Sequence, residues 1–212
     1  MKPDKSRVKF NLQSCLLAGV IFALLALPAF AQAGKAEQAP ALPRVAYDVR
    51  AWKEFESAEG GFTVALPGKP GLTVHTVEAL AGPLANHVHG LDIGVAVFAV
   101  TYTDMPFPVP AGDKEAINRA FDAGKARALA GAGGQLISEE SISLEGYMGR
   151  AVFYRDRDGA LTHNRSYIVG NRLYQVMVVS DDYRQSPAED RRFFKDLIDR
   201  FFASFKLTRK AY

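Results

Sequence analysis

Apolar and polar positions alternate with a period of two along much of this 212-residue chain, and Gly- and Pro-containing steps break the pattern into short segments. After Gly60-Gly61, Phe62, Val64 and Leu66 alternate with Thr63 and Ala65 until Pro67-Gly68, which predicts a half-buried strand. Leu72–Leu80 and Leu84–Ile93 flank Gly82-Pro83 and predict a hairpin turning there. Gly94–Thr103 (GVAVFAVTYT) is apolar almost throughout, the pattern of a strand covered on both faces. Asp104–Pro110 contains three prolines and is a loop. The period then changes to 3.6. Asp113 is placed to cap a helix whose stripe is Ile117, Ala120, Phe121, Gly124 and Ala128, with Gly131 or Gly133 ending it. Small residues dominate that stripe, so the helix can approach a sheet closely.

Alternation resumes in Gln135–Leu144, Arg150–Arg155, Leu161–Val169 and Arg172–Ser180, with Asp158-Gly159 and Gly170-Asn171 as tight turns. A second helix follows. Ser186, Pro187 and Glu189 have the spacing of a capping box with proline in the first turn. Phe193, Leu197 and Phe201 form one apolar row and Phe194, Ile198 and Phe202 the next. At roughly 1.5–3 kcal/mol per large buried apolar side chain, those six contribute on the order of 10 kcal/mol. Four strands, a helix, four strands and a helix predict an α+β fold, with helices packed on a mostly antiparallel sheet of about seven to eight strands.

Composition fits a folded domain, at 48% hydrophobic and 23% charged residues. The formal charge of +3 is misleading. Lys2, Lys5, Arg7 and Lys9 against Asp4 give residues 1–31 all of it, and the remainder carries 22 charges of each sign. Bulk electrostatics therefore gives no support for nucleic acid binding. The basic stretch, the apolar run Leu16–Leu27 and the small residues Ala29-Phe30-Ala31 or Ala31-Gln32-Ala33 predict a signal peptide over 1–31, cut after Ala31 or Ala33. The apolar run is short of the roughly 20 residues of a spanning helix, so no transmembrane segment is expected after cleavage. Cys15 precedes that run, against lipidation, and is the one cysteine of the chain. The mature chain then has no disulfide or thiolate chemistry. Residues 32–51 read as a flexible linker, 52–207 as one domain and 208–212 as a tail.

Several segments together resemble PsbP-like proteins. They are Glu59–Pro70 (EGGFTVALPGKP), Phe98–Pro106 (FAVTYTDMP), Gly146–Arg150 (GYMGR), Arg165–Gln175 (RSYIVGNRLYQ) and Ser204–Leu207 (SFKL). The resemblance spans about residues 52–207. It implies an αβα sandwich around an antiparallel sheet and a non-catalytic, extrinsic role, and it carries over no catalytic residue.

Candidate chemistry is sparse. His87 and His89 share a face of their strand. If Gly82-Pro83 is a two-residue turn, His75 pairs with Gly90 and faces the other way. If the loop has three residues, all three imidazoles share a face, as a catalytic zinc would need. Asp156-Arg157-Asp158-Gly159 lacks the glycine and glutamate of a calcium loop and reads as a turn. No nucleophile elbow, catalytic triad spacing, dinucleotide fingerprint or phosphate loop is present. No catalytic, cofactor-binding or metal-binding residue is therefore expected, and no cofactor.

With Gly170-Asn171 as a two-residue turn, Tyr167 pairs with Tyr174, and both share a face with Arg165 and Arg172. Such a face can bind an anionic or planar partner. Tyrosines half-buried under a helix with arginines reaching outward give the same pattern. The expectation is an exported, non-enzymatic module, periplasmic or extracellular. It binds or supports a protein partner in the cell envelope, with Arg165, Tyr167, Arg172 and Tyr174 as the partner face and the oligomeric state open. One alternative is a small-ligand or lipid carrier with its pocket between the first helix and the sheet. Another is a metal-dependent hydrolase at the histidines.

Overall fold

A computed structural model describes residues 51–79, 82–110 and 112–208. The expected signal peptide, nearly all of the linker and residues 209–212 lie outside the described residues. The strands are β1 (Lys53–Ser57), β2 (Phe62–Leu66), β3 (Gly71–Ala79), β4 (Gly82–Asp92), β5 (Ala96–Asp104), β6 (Gln135–Leu144), β7 (Tyr147–Arg155), β8 (Leu161–Val169), β9 (Arg172–Ser180) and β10 (Lys206–Leu207). Helix α1 (Lys114–Ala132) separates β5 from β6, and helix α2 (Ala188–Ser204) follows a short 3₁₀ turn at Tyr183–Gln185.

Seven strands form one sheet in the order β3-β4-β5-β9-β8-β7-β6, and every neighbouring pair is antiparallel. β5 is central and covered on both sides, with Val97, Phe98, Ala99 and Val100 all no more than 2% exposed. That matches its unbroken apolar run. One face packs Ile168 and Leu173 against Ile117, Ala120 and Phe121 of α1. The other packs Phe98, Val100, Tyr174 and Val176 under Leu197, Phe201 and Phe202 of α2 and under Phe62 and Val64 of β2. The class is α+β.

Local chemistry explains the helix ends. Asp113 accepts from the Ala116 N–H at 2.8 Å and caps α1. Gly133, left-handed at φ 56°, ends it, and the Gly134 N–H reaches Leu129 O at 2.8 Å. For α2 the capping box does not form. The Ser186 N–H closes the preceding 3₁₀ turn onto Tyr183 O, so Pro187 becomes the cap residue, with no side-chain cap bond. Glu189 and Asp190 still place negative charge in the first turn.

The seven strands of the large sheet agree with the expected seven to eight, and three details differ. The segments around Phe55 and Leu207 are also strands, and they flank β2 as a separate three-stranded sheet, β1-β2-β10. With one half-buried aromatic in β1 and only two residues in β10, neither shows enough alternation to be read as a strand. Next, β7 starts at Tyr147 because Glu145 (φ 50°) and Gly146 (φ 89°) turn the β6–β7 hairpin. Finally, neither proposed register of the β3–β4 hairpin is adopted. Ala79 pairs with Gly82, so Gly82-Pro83 belongs to β4; residues 80 and 81 lie outside the described residues. Proline's fixed φ cannot serve a turn needing two positive φ values.

Candidate functional site

The β8–β9 hairpin pairs Tyr167 with Tyr174 and Val169 with Arg172, the register expected from a two-residue Gly170-Asn171 turn. The rings are covered. Tyr167 and Tyr174 are 5% and 3% exposed, lying against Phe205 at centroid distances of 6.2 and 5.9 Å. Burial pushes the Tyr167 hydroxyl pKa up, and the Tyr174 hydroxyl donates to Gly60 O at 2.7 Å.

The two arginines have separate tasks. Arg172 makes a two-pronged ion pair with Asp104 (2.6 and 2.7 Å), donates to the carbonyls of Glu59 and Gly60 (2.8 and 2.9 Å) and lies 4.5 Å above the Tyr102 ring. It ties the β1–β2 turn to the large sheet. Arg165 stands further along β8, 4.3 Å above the Phe202 ring of α2. Among the described residues no carboxylate lies within ion-pair distance of it.

The histidines do not converge. His75 pairs with Asn86 and faces away from His87 and His89, which removes the third imidazole of the metal-hydrolase alternative. His89 is buried, with Nε2 3.2 Å from Ser57 Oγ, and burial together with nearby His87 lowers its pKa. His87 stacks on Tyr102 at 4.5 Å, with Nδ1 3.9 Å from the Glu59 carboxylate. Burial and Glu59 push the Tyr102 hydroxyl up to about 12. Among the described residues no group of three or more His, Cys, Asp or Glu is placed to hold a metal ion. The Asp156 loop is a closed turn, its carboxylate accepting from the N–H groups of Asp158 and Ala160 at 2.9 and 2.8 Å.

Two spaces remain. Beneath α1, Phe121, Gly124, Lys125, Ala128, Arg150, Asn164 and Gln175 are among the residues around a cavity of about 20 Å³. That is room for about one water, so the carrier alternative lacks its pocket at that place. On the opposite face a groove of about 290 Å³ runs between α2 and strands β6 to β8. Its wall includes Glu140, Phe153, His163, Arg165, Tyr183, Lys195 and Asp199. The Phe153 and His163 rings stack at 3.9 Å, and His163 Nε2 is 3.0 Å from the Tyr183 hydroxyl. Burial and then Arg165 lower the His163 pKa to about 4, so the ring is neutral at pH 7. Lys195 is paired with Asp199, one helical turn on. Arg165 is thus the groove cation that makes no ion pair among the described residues, and Glu140 is an acid of the same wall.

Sequence reasoning named Arg165 but missed His163, Tyr183, Lys195, Asp199 and Glu140. The Lys195/Asp199 pair, four apart and off the apolar rows of α2, was the available signal.

No protein-family model matches the chain, and no curated protein matches it. Two solved structures are similar in arrangement. The solution structure of cyanobacterial PsbP (CyanoP) from Synechocystis sp. PCC 6803 is 14% identical, with a TM-score of 0.46, covering 84% of this chain and 98% of its own. The crystal structure of PA94, a protein of unknown function from Pseudomonas aeruginosa, is 11% identical, with a TM-score of 0.33, covering 69% and 93%. Neither likeness assigns a family or a role. No described helix is long and apolar enough to cross a membrane.

Proposed function

We propose that this chain is an exported, non-catalytic binding module of the bacterial envelope that holds a protein partner in the groove between α2 and strands β6 to β8. The observation that carries this reading is Arg165, a cation on a half-open wall with aromatic rings beside it and no carboxylate of its own among the described residues. An acidic side chain of a partner would complete that pair, and Phe153 and Tyr183 would cover apolar surface. Tyr167 and Tyr174 are buried against Phe205 and do not line the groove, and Arg172 fixes the neighbouring turn rather than meeting the partner. The leader in the sequence supports export.

The test begins with capture of a partner from the organism's own envelope fraction and its purification. Wild-type protein is then compared with Arg165→Gln and with Arg119→Gln, which alters the exposed face of α1. Affinity should fall about tenfold or more for Arg165→Gln and stay level for Arg119→Gln, with both variants keeping the wild-type melting temperature. Equal affinity for all three forms removes the groove, and substrate turnover lost with a single side chain removes the non-catalytic reading.

A further inference from the structure

The cavity beneath α1 is small and partly polar. Its wall is made by the small residues Gly124 and Ala128 of α1 above and by β7, β8 and β9 below. Three polar side chains of that wall carry a buried atom without a hydrogen-bonding partner among the described residues: Arg150 Nε, Asn164 Oδ1 and Gln175 Oε1. Asn164 and Gln175 are only 8% and 5% exposed. The Arg150 terminal nitrogens donate to Glu139, Asp122 and Asn118, and Asn164 Nδ2 donates to Ser166 Oγ at 3.3 Å. The three remaining atoms are one donor and two acceptors.

We propose that this cavity is a binding site for one ordered water molecule, which donates to Asn164 Oδ1 and Gln175 Oε1 and accepts from Arg150 Nε. Size and chemistry agree independently. A volume of about 20 Å³ exceeds the roughly 10–15 Å³ one water requires, and three partners is the usual number for a buried water. Two carbonyl-type acceptors beside a guanidinium suit a neutral molecule that both donates and accepts, in preference to a cation or an apolar ligand. The water joins the sheet to the Arg150–Asn118 bond, so the seam under α1 is hydrated and specific in register rather than greasy.

The sign of a stability change tests this. Gln175→Met keeps the length and bulk of the side chain and removes the acceptor. With the water in place, the variant leaves one of its O–H groups without an acceptor or expels it and orphans Asn164 Oδ1 and Arg150 Nε, and either way the melting temperature falls by about 2–4 °C. If the cavity is dry, the same change removes an uncompensated buried oxygen, and the melting temperature holds or rises. A high-resolution crystal structure of the wild-type protein gives a second reading, independent of how the variant folds. Density for one molecule within hydrogen-bond distance of all three atoms is expected. Its absence, or an anomalous peak at that point after a bromide soak, overturns the water.

Discussion

His163 is a stored acid sensitivity, and its size follows from its surroundings. The ring stacks on Phe153, bonds to the Tyr183 hydroxyl and sits beside Arg165, and burial takes its pKa from 6.5 to about 4. A base whose pKa is depressed on folding binds fewer protons in the native state than in the unfolded one. Stability therefore falls as pH drops through the window between the two values, and above 6.5 the group costs nothing. A tenfold change in proton affinity corresponds to about 1.4 kcal/mol, so the interval from pH 7 to 4 removes roughly 2–3 kcal/mol, allowing for the groove's opening to solvent. Urea denaturation of wild type and His163→Phe at half-unit steps over that range measures it. His89 is lowered in the same sense, so the quantity to read is the difference between the two curves. That difference should grow by about 2–3 kcal/mol toward pH 4, and the His163 ring resonance should titrate near 4. Parallel curves, or a titration midpoint near 6.5, would refute the burial argument and restore positive charge to the groove at mildly acidic pH.

Two other substitutions probe the frame that holds the groove. A Cβ on Gly149 of β7 would lie 2.5 Å from Tyr167 Cδ1 and 2.7 Å from the Ser166 carbonyl. Because one of those neighbours is backbone and the other a buried ring, Gly149→Ala should cost about 2–3 kcal/mol in chemical denaturation, and a loss under 0.5 kcal/mol would show that the hairpin yields there. Asp113→Ala removes the α1 cap and should cost about 1 kcal/mol, most visibly as faster amide exchange at Ala116, with Asp113→Asn close to wild type.

The large sheet was legible because most of its strands announce themselves twice, by alternation and by the turn that follows. Gly170-Asn171 fixes the β8–β9 register, so the Tyr167–Tyr174 pairing was readable residue by residue. Helix α1 was equally plain, with its cap and its stripe both local. The β3–β4 hairpin was not, because Gly82-Pro83 carries the composition of a turn while occupying the first two positions of a strand. Position in a paired ladder overrode the local signal.

Which face of the β8–β9 hairpin would be open could not be read from the hairpin at all. Its cover comes from Phe205 and from β2, elements far away in sequence. Once these are in place, four residues with one pattern acquire different fates. The tyrosines become core against Phe205, Arg172 becomes a clamp on the 59–60 turn, and only Arg165, two residues further from the hairpin turn than Tyr167, lines the groove. An arginine's role is set by the distance from its guanidinium to the nearest carboxylate, and that distance is a tertiary quantity. Asp104 lies opposite Arg172 on the neighbouring strand, and no described residue fills the same place for Arg165. That asymmetry between two arginines on paired strands, invisible in the alternation they share, is the physical basis for reading Arg172 as structural and for the proposal that Arg165 meets a partner.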